Sequence, residues 1–182
     1  MPLMILDRDG VINHDSEAYI KAPHEWHAIA GSLEAIARLN QAGYRVAIAS
    51  NQSGIGRGLL DIATLEAIHD KMHRELARVN GHVDTLRYCP HRPQDHCRCR
   101  KPQPGMLLDI AHHFSMPLEG VPVVGDAWRD IEAAHTVGAR AILVMTGKGR
   151  DSLAEKRSLC SVEVYDNLAA VVQALLAPAH DN

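Results

Sequence analysis

The chain has 182 residues, 46% of them hydrophobic, and a formal net charge of -3; a chain of that length buries a sizeable core without disulfide staples. With no basic run, and only one Phe, two Trp and four Tyr, it offers neither the cationic surface nor the stacking platforms that would make nucleic acid or an anionic membrane its main partner. No stretch approaches the ~18 apolar residues of a membrane span, and no signal-peptide pattern precedes the first strand, so one cytoplasmic domain over residues 1–182, monomeric and acting on a small molecule, is expected.

Leu3-Met4-Ile5-Leu6 is a short apolar run that stops at Asp7-Arg8-Asp9-Gly10, the pattern of a buried parallel strand ending in a turn. An irregular segment rich in His and charge follows, Asn13 to Ala30. Ser32 is the expected N-cap of a helix carrying Leu33, Ile36, Ala37 and Leu39 on one face, closed by Gly43. Tyr44–Ser50 reads as the second strand. A long helix is predicted from Asp61, with Ile62, Leu65, Ile68, Met72, Leu76 and Val79 spaced by three or four, ended by Gly81. Then come a strand over Thr85–Tyr88, a helix over Met106–Phe114 and a strand over Val121–Val124. A helix over Arg129–Val137, strands over Ala141–Met145 and Val162–Tyr165, and a helix over Leu168–Leu176 complete the chain, with Gly147–Ser161 as a polar surface connection. Six strands alternating with helices predict an α/β fold, a doubly wound parallel sheet with right-handed crossovers.

Three of those strand ends carry polar groups suited to phosphate chemistry. The first ends in Asp7 and Asp9, two carboxylates whose repulsion calls for a hard cation such as Mg²⁺. The second ends in Ser50-Asn51-Gln52-Ser53-Gly54, short polar groups followed by a loop (Gly54, Gly56, Gly58) whose amides could approach an anion. The fourth ends in Gly125-Asp126, with Asp130 one helical turn later. Lys101, held between Arg100 and Pro102, supplies a positive charge from the loop after the third strand. Phosphoryl transfer needs positioning and charge neutralisation more than covalent machinery, and a carboxylate is a competent nucleophile for it.

Asp7-Arg8-Asp9-Gly10, Ser50-Asn51, Lys101 and Gly125-Asp126…Asp130 together resemble the haloacid dehalogenase superfamily of phosphohydrolases. That resemblance implies a Mg²⁺-dependent enzyme in which Asp7 is the nucleophile and Asp9 the acid and base. Ser50 and Lys101 would hold the phosphoryl group, and Asp130 would support the metal ligands. Mg²⁺ would be bound by Asp7, Asp126 and the backbone carbonyl of Asp9. The longer motifs Asn51–Gly58, Cys89–Pro93 and Cys97–Met106 are similar to those of sugar bisphosphate phosphatases with no large cap domain, a resemblance that runs from about residue 3 to 147. It implies substrate recognition by Arg100, by the segment containing Asp15 and Tyr19, and by Ser50, Asn51, Gln52 and Ser53. Arg8 and Gly10, next to the acids, are further substrate-binding candidates, although Arg8 and Arg57 equally suit a solvent-facing role. One departure is Ala127, where such relatives carry Lys or another polar residue; a side-chain contact from that position is lost.

Cys89, Cys97 and Cys99 lie within eleven residues, with His91 and His96 among them, while Cys160 stands apart. Three thiols and one imidazole form a closed tetrahedral set of the structural Zn²⁺ type. The spacing leaves both histidines as candidates; the resemblance implies His91. Cys160 is expected to be an ordinary thiol, and His69, His73, His112 and His113 to lie on solvated helix faces. Two other functions remain open: a histidinol-phosphate phosphatase with a similar zinc loop, and a non-catalytic zinc-loop binding module.

Overall fold

The computed structural model describes residues 1–155 and 162–178. Its strands β1 (Leu3–Leu6), β2 (Arg45–Asn51), β3 (Thr85–Cys89), β4 (Pro122–Gly125), β5 (Arg140–Val144) and β6 (Glu163–Tyr165) form one sheet in the order β3-β2-β1-β4-β5-β6. Every pairing is parallel. The intervening helices are α1 (Ser32–Gln41), α2 (Ser53–Gly56), α3 (Ile62–Arg78), α4 (Gly105–Phe114), α5 (Trp128–Thr136), α6 (Gly149–Ala154) and α7 (Leu168–Leu175).

The period-two alternation of each strand sorts its side chains to two faces. Met4, Leu6, Val46, Ile48, Val124 and Val144 pack with α1, α3 and α7. Leu3, Ile5, Ala47, Ala49, Val123 and Leu143 pack with α4 and α5. Both faces are therefore covered, which is why the strands read as continuous apolar runs.

The strand order reverses direction between β1 and β4, which pair through Ile5–Val123 and Leu6–Val124. A crevice opens at such a reversal, outside the carboxyl ends of the strands. Asp7 leaves β1 and Asp126 leaves β4 at that point.

Four local expectations need correction. Gly31, not Ser32, is the N-cap of α1, with φ 83°, and the Ser32 hydroxyl instead donates to the Val11 carbonyl at 2.9 Å. Beyond α3, Asn80 rather than Gly81 takes the left-handed conformation, with φ 60°. Gly54 and Gly56 lie within α2 rather than in an open loop. The Gly56 amide is used on the Pro90 carbonyl at 3.0 Å, and the Gly58 amide on Ile55. The polar stretch after Gly147 contains α6, tied down by Ser152 Oγ donating to the Asp126 carbonyl at 3.0 Å; Cys160 lies outside the described residues.

Candidate active site

Asp7, buried at the tip of β1, accepts the Arg8 amide on Oδ1 at 2.7 Å and faces Lys101 Nζ with Oδ2 at 3.1 Å. Lys101 is only 3% exposed. Its ammonium also contacts Asp130 Oδ1 at 2.7 Å and donates to the Ala49 carbonyl at 2.6 Å. Burial alone would neutralise such an amine, but the carboxylates of Asp130 and Asp7 outweigh it and hold Lys101 charged. The loop carrying Lys101 is registered on β2 by a reciprocal pair. Its amide donates to Asn51 Oδ1 at 3.0 Å, and Asn51 Nδ2 donates to its carbonyl at 3.1 Å.

Asp126 occupies a tight cleft. Its Oδ2 accepts the Lys148 amide at 2.8 Å, while Oδ1 is buried without a partner. Gly10 (φ 82°) and Gly147 (φ 55°) close around it: a Cβ on either would fall 2.0 or 2.1 Å from Asp126 Oδ2. The carboxylates of Asp7, Asp126 and Asp130 lie within 4.8 Å of one another. Burial, then the neighbouring carboxylates, push Asp7 up to about 6 even against Lys101, and push Asp126 up to about 7. Asp130 goes the other way: Lys101 and Arg129 overcome its burial and keep it ionised, and Oδ2 accepts the Ala127 amide at 3.0 Å. Two raised acids with an unsatisfied oxygen between them fit a hard divalent cation. Asp130, already committed to Lys101 and Ala127, fits support.

Asp9 is clamped differently. Arg8 Nε and Nη2 reach its Oδ1 at 3.1 and 3.0 Å, Asn13 Nδ2 donates to Oδ1 at 2.8 Å, and Gln52 Nε2 to Oδ2 at 2.8 Å. Burial would raise this carboxyl, but the Arg8 charge and these hydrogen bonds bring it below its ordinary value. Arg8 itself is fully buried and turns beneath the site, with Nη1 3.1 Å from His69 Nε2. It therefore faces neither solvent nor the pocket. His69 is likewise buried, not on a solvated face, because α3 presents it to Arg8; His73, His112 and His113 are exposed as expected. Gln52 Nε2 also donates to Ser50 Oγ at 2.8 Å, leaving the Ser50 O–H free to donate in turn. Gly10 contributes close backbone packing against Asp126 rather than a pocket wall.

The pocket over Asp7 and Asp9 is lined by Asp15, Ser16, Tyr19, Asn51, Gln52, Ser53, Arg100, Arg129 and Lys148. The irregular segment after Asn13 lies over this pocket in place of a cap; bridges from Asn13 to Asp9 and Ala28, and the buried Trp26, fix its course. Asp15 pairs with Lys148 at 3.2 Å. Arg57 is exposed and stacks over the Tyr19 ring at 5.9 Å. Sequence reasoning misses Arg129 and Lys148; the one available signal is a cation three residues after Asp126, on the first turn of a helix that begins at the site.

Cys89, His91, Cys97 and Cys99 form one cluster. Cys99 Sγ is 3.0 Å from Cys89 and 3.5 Å from Cys97, and His91 Nδ1 is 3.3 Å from Cys99 and 3.5 Å from Cys89. A tetrahedral zinc with Zn–S near 2.3 Å would place its ligands about 3.7 Å apart, so the four atoms fit a metal after slight expansion. His96 is exposed, turns away with φ 46°, and is outside the cluster. Cys89 ends β3 opposite Asn51, and the Arg100 Nη1 donates to the His91 carbonyl at 3.2 Å. The cluster thereby links the sheet to the Arg100-Lys101 loop.

A buried carboxylate at one strand tip, a lysine bound to it, and a carboxylate cluster across the sheet reversal that could hold a cation suit a phosphohydrolase centre of the haloacid dehalogenase type. A HAD-hydrolase-like family model matches residues 98–171. The chain is 55% identical over 179 residues, 98% of its length and 100% of the relative's, to the D-glycero-β-D-manno-heptose-1,7-bisphosphate 7-phosphatase of Bordetella bronchiseptica. It is 52% identical over 176 residues to the enzyme of that name from Pseudomonas putida, covering 97% of this chain and 100% of that one. The crystal structure of the B. bronchiseptica D,D-heptose 1,7-bisphosphate phosphatase, complexed with magnesium and phosphate, superposes with a TM-score of 0.95 over 97% of this chain and 98% of that one. The chain belongs to the D-glycero-β-D-manno-heptose-1,7-bisphosphate 7-phosphatase family.

Proposed function

We propose that this enzyme removes the 7-phosphate of D-glycero-β-D-manno-heptose 1,7-bisphosphate and leaves the 1-phosphate, a step toward nucleotide-activated heptose for lipopolysaccharide. The observation that carries the reading is Lys101 Nζ bridging Asp7 Oδ2 and Asp130 Oδ1, beside the unpartnered Asp126 Oδ1. Full-length similarity to enzymes of that name supports the substrate.

Asp7 attacks phosphorus through a carboxylate oxygen, forming an aspartyl phosphate as the bond to the sugar oxygen breaks. Asp9 gives a proton to the departing oxygen, then takes one from the water that cleaves the acyl phosphate, which restores Asp7. In the free site Asp9 is ionised by Arg8; a phosphate dianion arriving beside it works in the opposite direction and favours its protonation. Lys101 and the Ser50 hydroxyl hold the phosphoryl oxygens, and Asn51 fixes Lys101. Mg²⁺, held by Asp7, Asp126 and the Asp9 carbonyl, would neutralise charge on the transferring group. Asp15, Tyr19, Gln52, Ser53 and Arg100 surround the sugar.

Zn²⁺ on Cys89, His91, Cys97 and Cys99 is a structural metal in this reading, since four protein ligands leave no open position. Reduced thiols suit a cytoplasmic setting, where the enzyme would act as a monomer; no helix of the described residues is long and apolar enough to cross a membrane. Phosphate release should be compared for heptose 1,7-bisphosphate, other sugar bisphosphates and histidinol phosphate. The heptose bisphosphate should be the fastest; faster turnover of histidinol phosphate would overturn the assignment, and no Mg²⁺-dependent release from any would favour a binding module.

A further inference from the structure

The pocket carries three cationic side chains, Arg100, Arg129 and Lys148, with different local partners. Lys148 is paired with Asp15 at 3.2 Å, and Arg100 donates to the His91 carbonyl at 3.2 Å. Arg129 makes no ion pair within 4.0 Å among the described residues. Its Nε is buried with no hydrogen-bond partner. Leaving a buried guanidinium N–H without an acceptor is unfavourable, and the rest of the half-buried group faces the pocket, where a ligand can complete it.

The surroundings define what that ligand is. Burial works against the charge of Arg129, and the carboxylates of Asp130, Asp7, Asp126 and Asp15 more than offset it, so the side chain stays cationic. Those acids lie on the metal and nucleophile side. Arg100 lines the same pocket, and its charge is disfavoured by burial and then by Arg129 itself. Two guanidinium groups that line one pocket and disfavour each other's charge make a site for an anion. The transferring phosphoryl group already has Lys101 against Asp7, so this second anion lies farther out. Ala127 brings no polar side chain to the pocket; two residues on, in the first turn of α5, Arg129 does.

We propose that Arg129 is a specificity-determining residue that, together with Arg100, binds the phosphate group remaining on the sugar. The inference rests on the bisphosphate reading of the site. A planar fork suits two phosphate oxygens at once, which a lysine cannot match. It also gives the chain a cation at the pocket that does not depend on the position held by Ala127.

The test compares Arg129→Gln and Arg129→Lys on heptose 1,7-bisphosphate and on heptose 7-phosphate, which lacks only the retained phosphate. Arg129→Gln should lower kcat/KM on the bisphosphate by about 10- to 100-fold, the scale of a lost charge-assisted hydrogen bond. On the monophosphate the loss should be at least several-fold smaller, because the help Arg129 gives in keeping Asp130 ionised is common to both substrates. Arg129→Lys should fall between, keeping charge without the fork. In an Asp7→Asn background, where substrate binds without turnover, Arg129→Gln should weaken calorimetric binding of the bisphosphate far more than that of inorganic phosphate. Equal losses on both substrates would assign Arg129 to the reacting end or to the fold, and no loss on either would remove it from recognition. If the unsubstituted enzyme shows no preference for the bisphosphate over the monophosphate, the substrate reading itself fails, whatever Arg129 does.

Discussion

Arg8 Nη1 lies 3.1 Å from His69 Nε2, and the same guanidinium forks onto Asp9 from its other side. A buried arginine between an imidazole and a carboxylate holds its geometry only if the imidazole accepts. Burial first, then the Arg8 charge and His73, push His69 down to about 3, so it is neutral and able to accept at any working pH.

His69 is thus expected to be a positioning residue for Asp9. His69→Phe should leave the Arg8 N–H unsatisfied, lower stability by about 1–3 kcal/mol, and reduce kcat by roughly ten- to a hundredfold through a displaced acid. KM should barely move. His69→Gln, whose amide oxygen accepts, should recover most of kcat. Matching losses in the two variants would mean that His69 only fills space.

Asp7 near 6 and Asp126 near 7 make magnesium binding a competition with protons. Affinity should rise between about pH 5.5 and 7.5 by up to roughly tenfold per unit, as read by calorimetry. The same shifts set the stability of the metal-free protein. Because the folded state binds these protons more tightly than the unfolded one, their contribution is complete below about pH 4 and is lost as pH rises through 6 and 7. Asp126→Asn should flatten that fall in Tm; an unchanged slope would show that the carboxyl is not raised.

Gly10→Ala should damage the magnesium site more than the fold. The new methyl would sit 2.0 Å from Asp126 Oδ2 at a φ of 82°, a backbone cost of about 1–3 kcal/mol in addition to the displaced carboxylate. Calorimetry should show weakened Mg²⁺ binding with zinc content intact, whereas normal Mg²⁺ affinity would mean that Asp126 is free to move.

Replacing Cys97 or Cys99 by Ser should release zinc and loosen the Arg100-Lys101 loop while the sheet stays folded. Structural zinc is worth about 10–16 kcal/mol in small peptides, and a domain with two covered sheet faces should lose less. Metal analysis should find close to one zinc per chain in freshly purified protein. A value under about half, without chelators, contradicts the structural role.

Residues at strand ends were legible because an apolar run stopping at a polar group marks its own position. Asp7 and Asp126 follow β1 and β4 as that pattern predicts, Lys101 from the loop after β3 and Asp130 from the first turn of α5 meet them there, and the Cys/His spacing marks a cluster that the fold closes. Arg8, His69 and Arg129 were not legible. The direction of an arginine is set by neighbours distant in sequence, so Arg8 beside Asp9 reads equally well as a pocket cation or as a buried support. His69 sits on a helix whose apolar stripe gives no hint of a partner from the turn after β1. The Gly54–Gly58 stretch is ambiguous in sequence because glycine serves both anion loops and close packing, and here Gly56 is pressed against the Pro90 carbonyl, 2.6 Å from where a Cβ would be. Ser32 does not cap α1 because it already lies inside the helix, one residue past the Gly31 N-cap, where its hydroxyl donates to the Val11 carbonyl instead.

The most direct measurement follows heptose 1,7-bisphosphate by ³¹P NMR as the enzyme acts in Mg²⁺. The account predicts that the 7-phosphate resonance gives way to inorganic phosphate while the 1-phosphate persists, and that Asp7→Asn, folded and zinc-loaded, produces no change. Loss of the 1-phosphate first, or near-normal turnover by Asp7→Asn, would contradict it.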